Sequence, residues 1–483
     1  MLALDSSMRL FTSSKWLNGI TIYCEKENIL TEIEQLPFVQ FAEVTIRMKE
    51  PEAELQEPFR YHRDASATPA YTYQSDIMEN GIFDYGESYK QLRLNGVTWL
   101  HQMGYRGEGI RMMVLDGGFL NVDTLHFFDN LRNDHRLLGV RNLVQPEESP
   151  MVRHTHGSMV LSCIASYVPG ELVGSAPMVE VYLCQTEDGR SENKIEEDNW
   201  VAGAELADSL GCQVLNASLG YTKFDDTLMV RSFESLDGKT SRASQAATIA
   251  ASKGLIICNS AGNSGDEPWK HLGCPSDARD ILCVGAVDVK GTKASFSSFG
   301  PTADGRIKPD ACAVGYETWL GNTRGKVIRS FGTSFSSPLL SGMVSCLWQA
   351  FPEKSNYEIM DAIRRSGSQF SQPDSALGYG IPHFLKAYNL LYQDNIPGIS
   401  IEFPSFVTND KSAIAFTIAE APTVTAISTL NGVQKSLKVT QKMVDGKSTY
   451  TIKFPKKAKK VLVNTIPLEL NINGQTLHYV IGQ

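Results

Sequence analysis

Asp116, His156 and Ser334 stand out for where they fall. Asp116 closes the apolar run RMMVLD, His156 opens HGSMVLSCIAS, and Ser334 lies in SFGTSFSSPLLSG at the head of a long apolar stretch. Serine is a poor nucleophile at neutral pH and needs a base within hydrogen-bond reach. An imidazole serves as that base when a carboxylate fixes its tautomer and stabilises its charged form. These residue types, each at the end of an expected strand or the start of an expected helix, are the parts of an acyl-transfer relay in the chain order Asp, His, Ser. Spacing alone is weak ground, because any long chain contains such residues. The sequences around them carry more.

The elements that must position them come from residues 84–394. Short apolar runs (GIRMMVLDGGF, VEVYLCQ, CQVLNASLG, LIICNSAGN, ILCVGAVD) alternate with helical stretches such as WVAGAELADSLG and ASQAATIAASKG. Near-continuous apolar strands alternating with helices predict an α/β domain with a parallel sheet covered on both faces. In such sheets sites gather at the carboxyl ends of the strands. Residues 395–483 differ. About seven short alternating strands, with Asn431-Gly432, Asp445-Gly446 and Asn473-Gly474 among them, predict a small all-β sandwich joined by tight hairpins. At the other end, 18–49 reads as strand, helix, strand, a short α/β piece within 1–50, followed by a polar linker over 51–83.

The chain has 483 residues and a net charge of −9, a balance that argues against non-specific nucleic-acid binding. No run of eighteen apolar residues is present, so no membrane span is expected. The first residues, MLALDSSMRLFTSSKW, lack the pattern of a secretory signal; either the protein stays inside or the sequence lacks its true start. Nine cysteines with no CxxC pair read as buried small apolar residues, not as a disulfide framework. The acidic stretch EDGRSENKIEEDNW, 187–200, reads as a solvated loop, with calcium binding the lesser alternative, and His154 as a loop histidine.

The local sequences resemble those of the subtilisin-like serine peptidases, the subtilases. Gly332-Thr333-Ser334-Phe335-Ser336-Ser337-Pro338, with Ser341-Gly342 behind it, meets every position of that family's serine box. His156-Gly157-Ser158-Met159-Val160 resembles its histidine box, with Leu161 where a small residue is more usual. Val114-Leu115-Asp116-Gly117-Gly118 resembles its aspartate box, with Gly117 where a small hydroxyl or an acidic residue is more usual. The resemblance covers about residues 84–394 and implies a subtilisin-like fold and serine endopeptidase activity on proteins or peptides.

Further roles follow from the same resemblance. Asn263, in CNSAGNSG, matches the oxyanion-hole asparagine, although alone it would read as a turn residue. Ser218-Leu219-Gly220 resembles the substrate-binding edge, where an extended peptide adds as a strand. The Asn216-Ala217-Ser218 sequon is discounted, because a core strand is a poor glycan acceptor. The N-terminal piece resembles part of a propeptide, lacking its first elements, that would aid folding and block the cleft before a cut between about 50 and 84. No cofactor is required. Relatives often bind calcium, but no metal ligands are assignable here. The resemblance implies export to a secreted, periplasmic or cell-surface location. The alternative is a subtilase-fold peptide-binding or scaffold protein without turnover, which Gly117 keeps open.

Overall fold

The computed structural model describes residues 5–26, 29–46 and 84–394, then the strand segments 413–418, 423–430, 433–444, 447–453, 466–472 and 475–481. Two compact units are present, one ending at Pro382 and the other beginning at His383.

The first unit starts with a hairpin, β1 (Arg9–Ser14) and β2 (Gly19–Tyr23), followed by a short helix, α1 (Ile29–Glu34). The expected helix over NILTEIEQLPFVQ is thus cut short. It ends before Pro37, which lacks an N–H to continue it. Residues 41–46, expected as a strand, pair with nothing regular, and β1 takes the place of a hairpin partner instead.

A seven-stranded parallel sheet forms the centre. Its strands are β3 (Arg111–Asp116), β4 (Leu137–Asn142), β5 (Glu180–Gln185), β6 (Val214–Ala217), β7 (Ile256–Ser260), β8 (Leu282–Val287) and β9 (Ala311–Val314). Their order across the sheet is β9-β8-β7-β6-β3-β5-β4. After β3 the chain first builds one side, β4 and β5, then crosses to the other. The order therefore reverses between β3 and β6, which opens a crevice at their carboxyl ends. Strands β6 to β9 are buried throughout, and β3 from Met112 onward, as the apolar runs predict for a sheet covered on both faces.

Helices α2 (His156–Ala165) and α5 (Thr333–Ala350) pack against each other, and α5 also lies on β6–β9. Helices α3 (Ile195–Ser209) and α4 (Arg242–Ser252) are neighbours, and α6 (Asn356–Ser366) follows with a Ser355–Glu358 capping box. Trp200, Val201, Ala204 and Ala207 of α3 meet Ala243, Ala246, Ala247 and Ala250 of α4 in one core cluster, where small side chains let the helices approach closely.

The N-terminal piece sits on this helical layer. Ser14 Oγ and the Trp16 N–H both donate to Glu205 Oε1, and the Lys15 N–H donates to Oε2. Thr21 donates to Asp198 at 2.8 Å, and Glu43 pairs with Lys194 and Arg242. Trp16, Leu17 and Val44 pack on the α3/α4 cluster.

In the second unit, α7 (Phe384–Asp394) is followed by six antiparallel strands: β10 (Ala413–Ile418), β11 (Val424–Leu430), β12 (Val433–Val444), β13 (Lys447–Lys453), β14 (Ile466–Ile472) and β15 (Gln475–Ile481). They form one sheet in the order β10-β13-β12-β11-β14-β15. The expected strand at 399–407 lies outside the described residues, as does nearly all of the one at 460–466. The region is all-β, as its alternating sequence predicts, and its described strands pair into one antiparallel sheet instead of the two facing sheets of a sandwich.

Candidate active site

The crevice brings the candidate residues near one another by different routes. Asp116 is the last residue of β3 and is fully buried. The loop after it turns through Gly118 at φ +146°, a backbone region that favours glycine. Phe119 N–H then bonds Pro150 O at 2.7 Å, Leu120 N–H bonds His154 O at 3.0 Å, and Ser158 Oγ returns to Leu120 O at 2.7 Å. The start of α2 is thereby laced to the end of β3. Gly157 makes the approach feasible, since a Cβ there would come within 2.4 Å of Gly118 O.

His156, the first residue of α2, places Nδ1 2.8 Å from Asp116 Oδ1. Gly117 N–H donates to the same oxygen at 2.8 Å. With Nδ1 donating to the carboxylate, Nε2 is the ring nitrogen that carries the lone pair.

Ser334 lies in the first turn of α5, half-buried, and the ring of Phe335 stands 5.9 Å from that of His156. Pro338, four residues on, has no N–H to give the Ser334 carbonyl. Ser218 Oγ fills that place, donating to Ser334 O at 2.9 Å. The Ser218 side chain therefore anchors the turn that carries Ser334. The chain around it is fixed too: Asn259 Nδ2 holds Leu219 O at 3.0 Å, while Gly220 is exposed. Asn216 is buried, and its Oδ1 accepts from Ser337 Oγ at 3.0 Å, in keeping with the discounted sequon.

Asn263 follows β7 and is exposed at the rim. Thr333 grips its Oδ1 twice, through its N–H at 2.8 Å and its hydroxyl at 2.9 Å. That grip turns the amide Nδ2 outward past Gly332, a residue at φ +147° whose absent side chain would begin 3.6 Å from Nδ2. The series runs from a fully buried carboxylate, through a nearly buried imidazole, to a half-exposed hydroxyl and an exposed amide.

Three residues escaped the sequence reading: Thr186, Glu187 and Tyr221. The stretch 187–200 is no solvated loop. Glu187, Glu196, Glu197 and Asp198 are buried, and α3 begins at Ile195. Glu187 Oε1 accepts from Tyr221 OH at 2.7 Å and Thr186 Oγ1 at 2.9 Å. Burial foremost, then the nearby Glu192 charge, holds the Glu187 carboxyl well above the usual carboxylate range. Burial and Asp225 push Glu192 up to about 8. The signal was available, since Glu187 follows the end of β5 much as the catalytic candidates follow theirs. His154 is a loop residue whose ring stands over Gly189. Asp304–Asp310 is a structural turn held by the Lys308–Asp310 and Arg364–Asp310 ion pairs. All nine cysteines are free thiols, and eight are buried. Among the described residues no helix is long and apolar enough to cross a membrane.

The sequence model of the subtilase family, Peptidase S8, matches residues 81–380. The chain belongs to the subtilase family. It is similar to the thermostable alkaline protease of Halalkalibacterium halodurans, 26% identical over 285 residues, covering 59% of this chain and 68% of that one. It is also similar to subtilisin E of Bacillus subtilis, 24% identical over 65% of this chain and 78% of that one. Against the subtilisin-like protease SBT6.1 of Arabidopsis thaliana it is 27% identical over 65% of its own length, but spans 28% of that protein. Among solved structures, MycP1 from Mycobacterium smegmatis aligns with a TM-score of 0.49 at 19% identity, over 65% of this chain and 86% of that one. Membership makes this subtilase a serine-type endopeptidase.

Proposed function

We propose that this subtilase cuts protein substrates through an Asp116–His156–Ser334 triad and an acyl-enzyme. The supporting observation is the buried 2.8 Å contact between His156 Nδ1 and Asp116 Oδ1, with Ser334 half-exposed at the head of α5. His156 Nε2 takes the Ser334 hydroxyl proton as Oγ bonds to the scissile carbonyl carbon. The same proton passes to the leaving amine as the C–N bond breaks. Water then gives a proton to His156 and attacks the ester; the C–Oγ bond breaks and the proton returns to Ser334. Asn263 Nδ2 and the Ser334 N–H, at a helix N-terminus, serve the oxyanion.

The substrate adds along Ser218–Gly220 through main-chain hydrogen bonds, and Gly220 leaves room for the side chain before the cut. The N-terminal piece acts as an intramolecular inhibitor that is cut away between about 50 and 84. Its seating on α3 and α4 supports that reading. Family membership supports export.

Fluorophosphonate labelling with peptide mapping tests the triad. Label is expected on Ser334, and none in Ser334→Ala, whose fold by circular dichroism stays unchanged. Absence of label on Ser334 after removal of residues 1–83 would favour the silent scaffold.

A further inference from the structure

Asp116 leaves one oxygen unaccounted for. Oδ1 receives both the His156 and the Gly117 donors, whereas Oδ2 is buried with no hydrogen-bond donor among the described residues. A buried carboxylate oxygen without a donor is costly. Residue 117 is a glycine and offers no side chain. Where its Cβ would stand, the nearest atom is Glu187 Cβ, at 3.8 Å.

Glu187 is 6% exposed, and its charge and that of Asp116 act on each other. Tyr221 and Thr186 both donate to Oε1, so a proton on this carboxyl sits on Oε2. The titratable groups facing it are Tyr221, Asp116, Glu192 and Glu196. Cations of the surrounding elements are engaged elsewhere: Arg231 with Glu197, Arg190 with Asp188, Lys194 with Glu43, and Arg242 with Glu43 and Asp198. Burial without a cation keeps a carboxyl protonated, and a protonated carboxyl is a donor.

We propose that Glu187 is the positioning residue of the relay: its carboxyl, reaching past Gly117, donates through one bridging water to Asp116 Oδ2. The inference rests on the triad reading above. Such a bond fixes the plane of the Asp116 carboxylate toward His156 and tempers its basicity.

The test is the rate of fluorophosphonate labelling of Ser334 against pH in the full chain, whose acidic limb reports the His156 pKa. Glu187→Ala is expected to slow labelling about tenfold. It should also move the limb to higher pH, because an Asp116 stripped of a donor favours imidazolium more. Adding Gly117→Ser to Glu187→Ala should recover most of the loss, since the site has room for the side chain and Gly117 is not in the left-handed region. Glu187→Gln keeps an uncharged donor and should label within about threefold of wild type with its limb unmoved. A Glu187→Gln limb displaced downward by about half a unit or more would show that Glu187 had been an anion, and would overturn the inference. So would a Glu187→Ala rate within about twofold of wild type. If Glu187→Ala does not fold, the limb of Glu187→Gln decides alone. Failure of wild type to label at Ser334, both in the full chain and after removal of residues 1–83, would sink the triad reading and this inference with it; labelling indifferent to residue 187 would sink the inference alone.

Discussion

Asp310 and Glu187 are both carboxylates with almost no solvent contact, 4% and 6% exposed, yet their acidities lie on opposite sides of normal. Burial pushes Asp310 up, but the charges of Lys308 and Arg364 outweigh it and hold the group below the ordinary range. Glu187 has the same burial, meets carboxylates instead of cations, and is held far above. Partner charge, not depth, decides which buried acid is ionised. The first site is a structural clasp between β9's approach and α6. The second lies against the loop after Asp116, where a neutral acid offers a donor that an ionised one could not.

Removing the cation from the first site should have the largest effect. Lys308→Met leaves Asp310 buried with only half-exposed Arg364 beside it, at an expected cost of about 3–5 kcal/mol. The midpoint of urea unfolding reads this, and a change under about 1 kcal/mol would contradict the ionised assignment. The second site should respond to pH instead. Glu192, with an ordinary value of 4.5 raised to about 8, binds its proton more tightly in the folded chain. Its contribution is present below about 4.5 and is lost as pH rises toward 8. Glu192→Gln should flatten that decline and gain about 1 kcal/mol at pH 7, seen by comparing unfolding midpoints at pH 5 and pH 8. A third carboxylate gives the smallest effect. Glu43 has two cationic partners but is 28% exposed. Glu43→Gln should loosen the N-terminal hairpin by under about 1 kcal/mol, and in 1 M salt the difference should vanish. Hydrogen exchange of Gly19–Tyr23 would report it.

The sequence was most legible where a strand or helix has to end in a polar residue. Asp116 ends and Asn263 follows a buried apolar strand, and His156 and Ser334 lie at the heads of helices whose residues are almost all buried, so position singles them out. Charge density misled. Six acids in fourteen residues read as a solvated loop, yet Glu197 and Asp198 are covered by Arg231 and Arg242, which lie far along the chain, and Glu196 accepts from the Asp188 and Asn193 N–H groups. The strand Arg9–Ser14 was missed because its side chains are mostly exposed and show no apolar face. The role of the Ser218 hydroxyl depended on a partner 116 residues away, the carbonyl that Pro338 leaves unbonded.

The cysteines carry a practical consequence. Eight thiols are sealed in the interior, and Cys24 alone is partly open, 3.6 Å from Ser7 Oγ in the N-terminal piece. A maleimide dye applied to the folded chain will therefore colour that piece and little else. The molecule arrives with a built-in reporter, placed on the segment that the proposed function has cut away.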